Sequence, residues 1–122
     1  MSLLLILLLA VLSHEAAHYV ALRMGGCRPI PALMRPDRRL ILSLGLGWCY
    51  DPAQVEITTR RLSYALGPMV ETAVWLGGAS LLMASGQPWQ GWWCAVVGLG
   101  SLAGNWTLPG SDGRQYRRLG RE

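Results

Sequence analysis

The chain has no lysine, only two histidines and three cysteines, and charged residues make up just 15 % of its 122 positions. All eleven basic residues are arginines, at most a signature of codon usage. So little charge beside 52 % apolar residues argues for the membrane class over a soluble globule. A net charge of +4 invites a nucleic-acid reading. The arginines border apolar segments and form no continuous face, so no nucleic-acid partner is expected. Cys27, Cys49 and Cys94 are odd in number and lack C-x-x-C spacing. That sets aside a disulfide framework and a zinc ribbon, and leaves them as small apolar residues. There are no internal repeats or low-complexity linkers, and the length suits one domain over 1–122.

Both histidines fall in one motif, His14-Glu15-Ala16-Ala17-His18, inside the apolar run Leu3 to Leu22. In a helix, positions i and i+4 share a face, so two imidazoles can bind one zinc ion with Glu15 close enough to act as general base. The segment Leu3–Met24 would be about 33 Å long as a helix, enough to cross a bilayer. Ionisable groups at that depth are costly and usually functional. Two plainer readings compete. A signal peptide would need a basic residue ahead of the apolar run, and none is present. A chance match on the buried helix of a soluble protein would need more polar surface than the rest of the chain offers.

Three apolar segments are expected to span a membrane, at about 3–24, 62–84 and 92–109. The second is interrupted by Gly67-Pro68 and carries Glu71. The third follows the turn Ser85-Gly86-Gln87-Pro88, with Trp89, Trp92 and Trp93 where an interfacial aromatic belt would sit. Gly98, Gly100 and Gly104 along it would let helices pack closely. Between the first two segments, Leu42, Leu44, Leu46, Trp48 and Tyr50 alternate with small residues, a strand signal of period two. Asp51-Pro52 would turn the chain, and Val55-Glu56-Ile57-Thr58 would return as the second strand of a small hairpin. The stretch from Arg28-Pro29 to Asp37-Arg38 reads as loop. Arg23–Arg61 holds seven arginines against three acids and Gly113–Glu122 four against one, whereas Ser85–Gly91 is uncharged. The positive-inside rule then makes the connector and the C-terminus cytoplasmic.

Catalytic zinc usually takes three protein ligands and keeps one open position. With no third histidine, a carboxylate or thiol must complete the set. Glu71 lies at suitable depth in the second span. Asp112 follows Pro109-Gly110, which break the third helix, so that an unwound segment could fold back to the bundle. Residue chemistry alone leaves both open.

Three elements together resemble the site-2 protease family of intramembrane zinc metalloproteases, nearest to its small forms without a PDZ domain. They are His14-Glu15-Ala16-Ala17-His18 in a membrane helix, Ala65-Leu66-Gly67-Pro68 opening the next span, and Asn105 … Pro109 … Asp112-Gly113-Arg114. Their order and the intervening hairpin also agree, so the resemblance covers nearly the whole chain. It implies an all-α membrane protein with a three-helix metalloprotease core, and Asp112 as the third zinc ligand beside His14 and His18. Glu15 would be the general base, and Asn105 either an oxyanion donor or a cap on the broken helix. The implied activity is hydrolysis of peptide bonds in membrane-embedded protein or peptide substrates. The implied location is a bacterial or archaeal cell membrane, with several passes through the lipid bilayer. Three departures stand out. Asn105 to Asp112 is seven positions where the common form has eight. Glu71 stands where the family often has asparagine. The additional spans of many members are missing, so a helical partner or a second copy would supply the missing wall. Two rival functions stand beside it: an inactive membrane scaffold or chaperone that keeps the fold, and a zinc-binding sensor or transporter.

Overall fold

The computed structural model describes residues 2–34 and 45–121. Helix α1 spans Leu3–Met24 and starts where Ser2 accepts a hydrogen bond from the Leu5 amide. It ends at Gly25-Gly26, and Gly26 takes the left-handed backbone (φ +79°) that a side chain would disfavour. Strands β1 (Ile30–Met34) and β2 (Gly45–Cys49) follow, then a 3-10 turn at Pro52–Gln54. Helix α2 runs from Ile57 to Ala84, α3 from Pro88 to Thr107 and the short α4 from Asp112 to Leu119. Among the described residues the chain is thus mainly helical, with one small hairpin.

Helix α2 lies between α1 and α3 and runs antiparallel to both. Gly25 at the end of α1 meets Thr59 at the start of α2, and Ile6 meets Gly78 near the other end. Gly98 of α3 accepts the Trp75 side chain, and Gly91 lies against Ala79 and Met83. At each crossing a Cβ on the glycine would fall under 3 Å from its neighbour, so absent side chains set the helix spacing. The expectation for α3 needs correction here. Of Gly98, Gly100 and Gly104, only Gly98 lies at a helix crossing; Gly100 meets nothing, and Gly104 only Leu108 at the end of its own helix. The core joins Ile6 and Ala10 of α1, Trp75, Ala79 and Leu82 of α2, and Cys94 of α3.

The outward faces are apolar too. Leu4, Leu8 and Leu12, one turn apart on α1, are all exposed. A soluble monomer rarely leaves so continuous an apolar surface in water. Helices α1 and α2 are each long and apolar enough to cross a membrane. Helix α3, with Gln90, Ser101 and Asn105, falls short of them in hydropathy. Pro68 does not break α2, which runs on through Gly67-Pro68. It only removes the amide that would have reached the Tyr64 carbonyl.

The hairpin differs from expectation in its partner strand. The alternating stretch does form a strand at Gly45–Cys49, whereas Asp37, Leu42, Ser43 and Leu44 lie outside the described residues. It pairs antiparallel with Ile30–Met34, Ile30 opposite Cys49 and Met34 opposite Gly45. Val55 instead follows the 3-10 turn, which Asp51 Oδ1 caps by accepting from the Ala53 amide at 3.0 Å. Ile57 and Thr58 open α2. Their β-branched preference for strand is overridden by the packing of a long helix. The stretch from Arg28, expected to be loop, thus contains β1, in which Pro31 has no amide to donate.

Candidate metal centre

One face of α2 carries Ser63, Gly67 and Glu71 at four-residue spacing, opposite His18 and His14 of the antiparallel α1. Ser63 Oγ lies 3.1 Å from His18 Nδ1. Glu71 Oε2 lies 2.7 Å from His14 Nδ1. Gly67 sits between them. A Cβ there would fall 2.5 Å from His18 Nε2 and 3.0 Å from His14 Nε2. The missing side chain is therefore what leaves room for both nitrogens.

Helix α4 supplies the remaining group. The chain leaves α3 at Thr107, turns through Pro109 and Gly110 (φ +79°), and re-enters a helix at Asp112. Gly113 lies so close to α3 that a Cβ would stand 2.6 Å from the Asn105 carbonyl oxygen. That approach delivers Asp112 Oδ2 to 2.9 Å from His14 Nε2 and 3.1 Å from His18 Nε2. The two Nε2 atoms are 3.0 Å apart.

The protonation states decide what this triangle wants. A carboxylate can only accept, so His14 Nδ1 carries its proton toward Glu71 and leaves a lone pair on Nε2. Ser63 can accept from His18 Nδ1 in the same way. Two imidazole lone pairs and a carboxylate oxygen then converge. Protons on both Nε2 atoms would satisfy Asp112 but would set two imidazolium cations side by side. A single cation serves all three atoms. Atoms at these separations can all lie about 2.0–2.2 Å from a common point, the range of zinc–nitrogen and zinc–oxygen bonds. His14, His18 and Asp112 could therefore hold a metal ion. Burial opposes the Asp112 charge, yet when the two imidazoles are protonated their hydrogen bonds and charge outweigh it and hold the carboxyl at about 2.

The two candidate carboxylates thus take different positions. Asp112 meets both Nε2 atoms, and Glu71 stands behind His14. Glu71 is held in turn, because the Ser101 hydroxyl of α3 donates to its Oε1 at 2.6 Å. Asn105 spends its amide nitrogen on the Ser101 carbonyl at 3.1 Å. A chain of contacts from Asn105 through Ser101 and Glu71 therefore ends on His14. Glu15 is half-buried on α1, one residue after His14 and three before His18. Its backbone carbonyl accepts from the Trp48 indole of β2 at 3.0 Å, and Trp48 also packs on Tyr19. The hairpin is thereby fastened beside the motif.

Sequence reasoning named the histidines, Glu15, Asp112, Asn105 and Glu71 but missed Ser63, Ser101 and Trp48. The four-residue spacing of Ser63, Gly67 and Glu71 was a visible signal for the first. Ser101, which lies on α3, had no comparable mark. Comparison with protein-family models, curated proteins and solved structures finds no match to this chain.

Proposed function

We propose that this chain is an intramembrane zinc metalloendopeptidase of the site-2 protease type. The observation that carries the proposal is the convergence of His14 Nε2, His18 Nε2 and Asp112 Oδ2 beside a helix long and apolar enough to span a bilayer. Helix α3, 20 residues and about 30 Å long, is the third span in this reading. Its exposed Trp89, Trp92 and Trp93 would sit in the headgroup layer. Connector and tail are then cytoplasmic.

Bound zinc would polarise the scissile carbonyl and acidify water for attack. Glu15 takes the proton from the attacking water as the new C–O bond forms. It returns the proton to the leaving amine as the C–N bond breaks. Glu71 and Ser63 fix the tautomer and orientation of the two imidazoles, as partners of metal-bound histidines commonly do. Asn105 contributes as a positioning residue through Ser101. A helical substrate hides its peptide bonds, so it must be extended before cleavage. The hairpin beside Glu15 offers strand edges on which an extended segment can pair.

The test uses the full chain purified in detergent. Elemental analysis should find about one zinc per chain by the His-His-carboxylate logic. Cleavage of model single-span membrane peptides should occur with the wild type and vanish in Glu15→Gln, which keeps its zinc. Zinc retained without cleavage in the wild type would favour a scaffold or sensor. Zinc unchanged in His14→Ala/His18→Ala would remove the metal centre itself.

A further inference from the structure

The arginines of the C-terminal segment have no task in the proposed reaction. Arg114, Arg117, Arg118 and Arg121 recur at three- and four-residue spacing, so they form one stripe along α4 and the residues just after it. With Pro109, Gly110 and Gln115 they line an open cavity of about 750 Å³. The opposite face of α4 is fixed to the bundle. Gly113 and Leu119 are buried, Tyr116 packs on Trp106, and the Arg61 guanidinium of α2 lies 4.5 Å from the Tyr116 ring centre. The stripe is thus held facing outward.

Among the described residues no ion pair offsets its charge: no carboxylate lies within 4.0 Å of any arginine nitrogen. Arg60 and Arg61 at the start of α2 add two more cations at this end, and their Nε atoms are buried with no hydrogen-bond partner among the described residues. Like charges at i, i+4 destabilise a helix, so a bound anion would relieve a real cost. Guanidinium groups match phosphate oxygens in charge and in donor geometry. The cavity begins at the turn that ends α3, where the headgroup layer lies if α3 spans the bilayer.

We infer that the arginine stripe of α4 is a binding site for the phosphate of an anionic phospholipid headgroup. The inference rests on the membrane reading above. Phosphate chemistry alone is shared by soluble phosphate esters; the placement beside the end of α3 selects the lipid.

Native mass spectrometry of the full chain from micelles tests it, with phosphatidylglycerol and phosphatidylcholine of equal acyl length as probes. Wild type should retain phosphatidylglycerol about tenfold or more over phosphatidylcholine, in line with the attraction of basic clusters to anionic lipid. The triple variant Arg114→Gln/Arg118→Gln/Arg121→Gln should lose that preference, and the corresponding lysine variant should keep much of it. Arg117 is left in place because its guanidinium also holds the Trp106 carbonyl. An unchanged preference in the glutamine variant overturns the inference. So does displacement of the lipid by inorganic phosphate or by a short single-stranded DNA at equal charge concentration. Resistance of the wild type to carbonate extraction from membranes is measured alongside. Its failure would sink the membrane reading and this inference together; a membrane-integral protein with no anionic preference would sink only the inference.

Discussion

Asp112 and Glu71 are both carboxylates within reach of His14, yet they touch different nitrogens of its ring, and that difference fixes what each substitution should do. Asp112→Asn removes an anionic donor from the point where the lone pairs converge, so zinc binding should be lost or nearly so. Glu71→Gln keeps an oxygen that can accept from His14 Nδ1 but removes the charge behind the ring. Its zinc affinity should fall by about 10–100-fold, the usual cost of altering a histidine's outer partner. Competition with a chelator measures both. Equal losses in the two variants would place Glu71 among the direct ligands. Gly67→Ala is a sharper test of the same geometry. The added methyl would fall 2.5 Å from His18 Nε2, in the space the nitrogens need. Zinc should be lost although every ligand remains, while detergent-solubilised protein keeps its helical circular dichroism. An alanine variant with wild-type zinc affinity would show that the ring can shift at no cost.

Helix α4 is the element on which the candidate metal centre depends most, because it carries Asp112 at its first position and touches α3 through Gly113. Backbone atoms cannot yield as a flexible side chain does. In Gly113→Ala the Cβ would face the Asn105 carbonyl at 2.6 Å, so α4 must move away from α3 and take Asp112 with it. Zinc affinity should drop at least about tenfold, since a misplaced carboxylate donor is a weakened one; a chelator titration identical to wild type would refute the lever. This dependence was partly legible in the sequence. The helix-breaking pair Pro109-Gly110 marked where the chain turns, and the His-x-x-x-His spacing marked the face of α1. Residue chemistry did not separate Asp112 from Glu71, because their roles follow from which ring nitrogen each one meets. The hairpin was legible as one strand and misread in the other. Alternation in Leu42–Tyr50 is a periodic signal, whereas Ile30–Met34 contains a proline and Val55–Thr58 carries strand formers in a turn and a helix start. Helix packing was misread where glycine count stood in for glycine position, since only neighbours in space decide which glycine is used.

At the scale of the whole molecule, the arrangement that builds the site also sets where its charges lie. Antiparallel packing puts the end of α1, the start of α2 and the end of α3 together, and every arginine of the chain lies at the end of α1, in the connector, in the start of α2 or after α3. The opposite end, at Ser85–Gly91, is uncharged and is followed by exposed Trp92 and Trp93. Helices α1 and α2 each meet the length and hydropathy of a span, and α3 does not meet them by composition alone. Its case rests on connectivity. If α2 crosses and α3 does not, the arginine-bearing α4 and the uncharged turn share one face of the membrane. Yet α4 is tied back to α3 through Gly113 and to α2 through Arg61, at the end of α2 opposite that turn. A polar network of Glu71, Ser101 and Asn105 within α2 and α3 would also be satisfied internally, as a bilayer interior requires. Single cysteines at Gly86 and Arg117, in a background where Cys27, Cys49 and Cys94 are serine, should therefore label from opposite sides of sealed membrane vesicles, Arg117 from the cytoplasmic side. Labelling of both from one side would leave α1 and α2 as the spans, place α3 on the surface, and require the metal centre to face the interface instead of the bilayer interior.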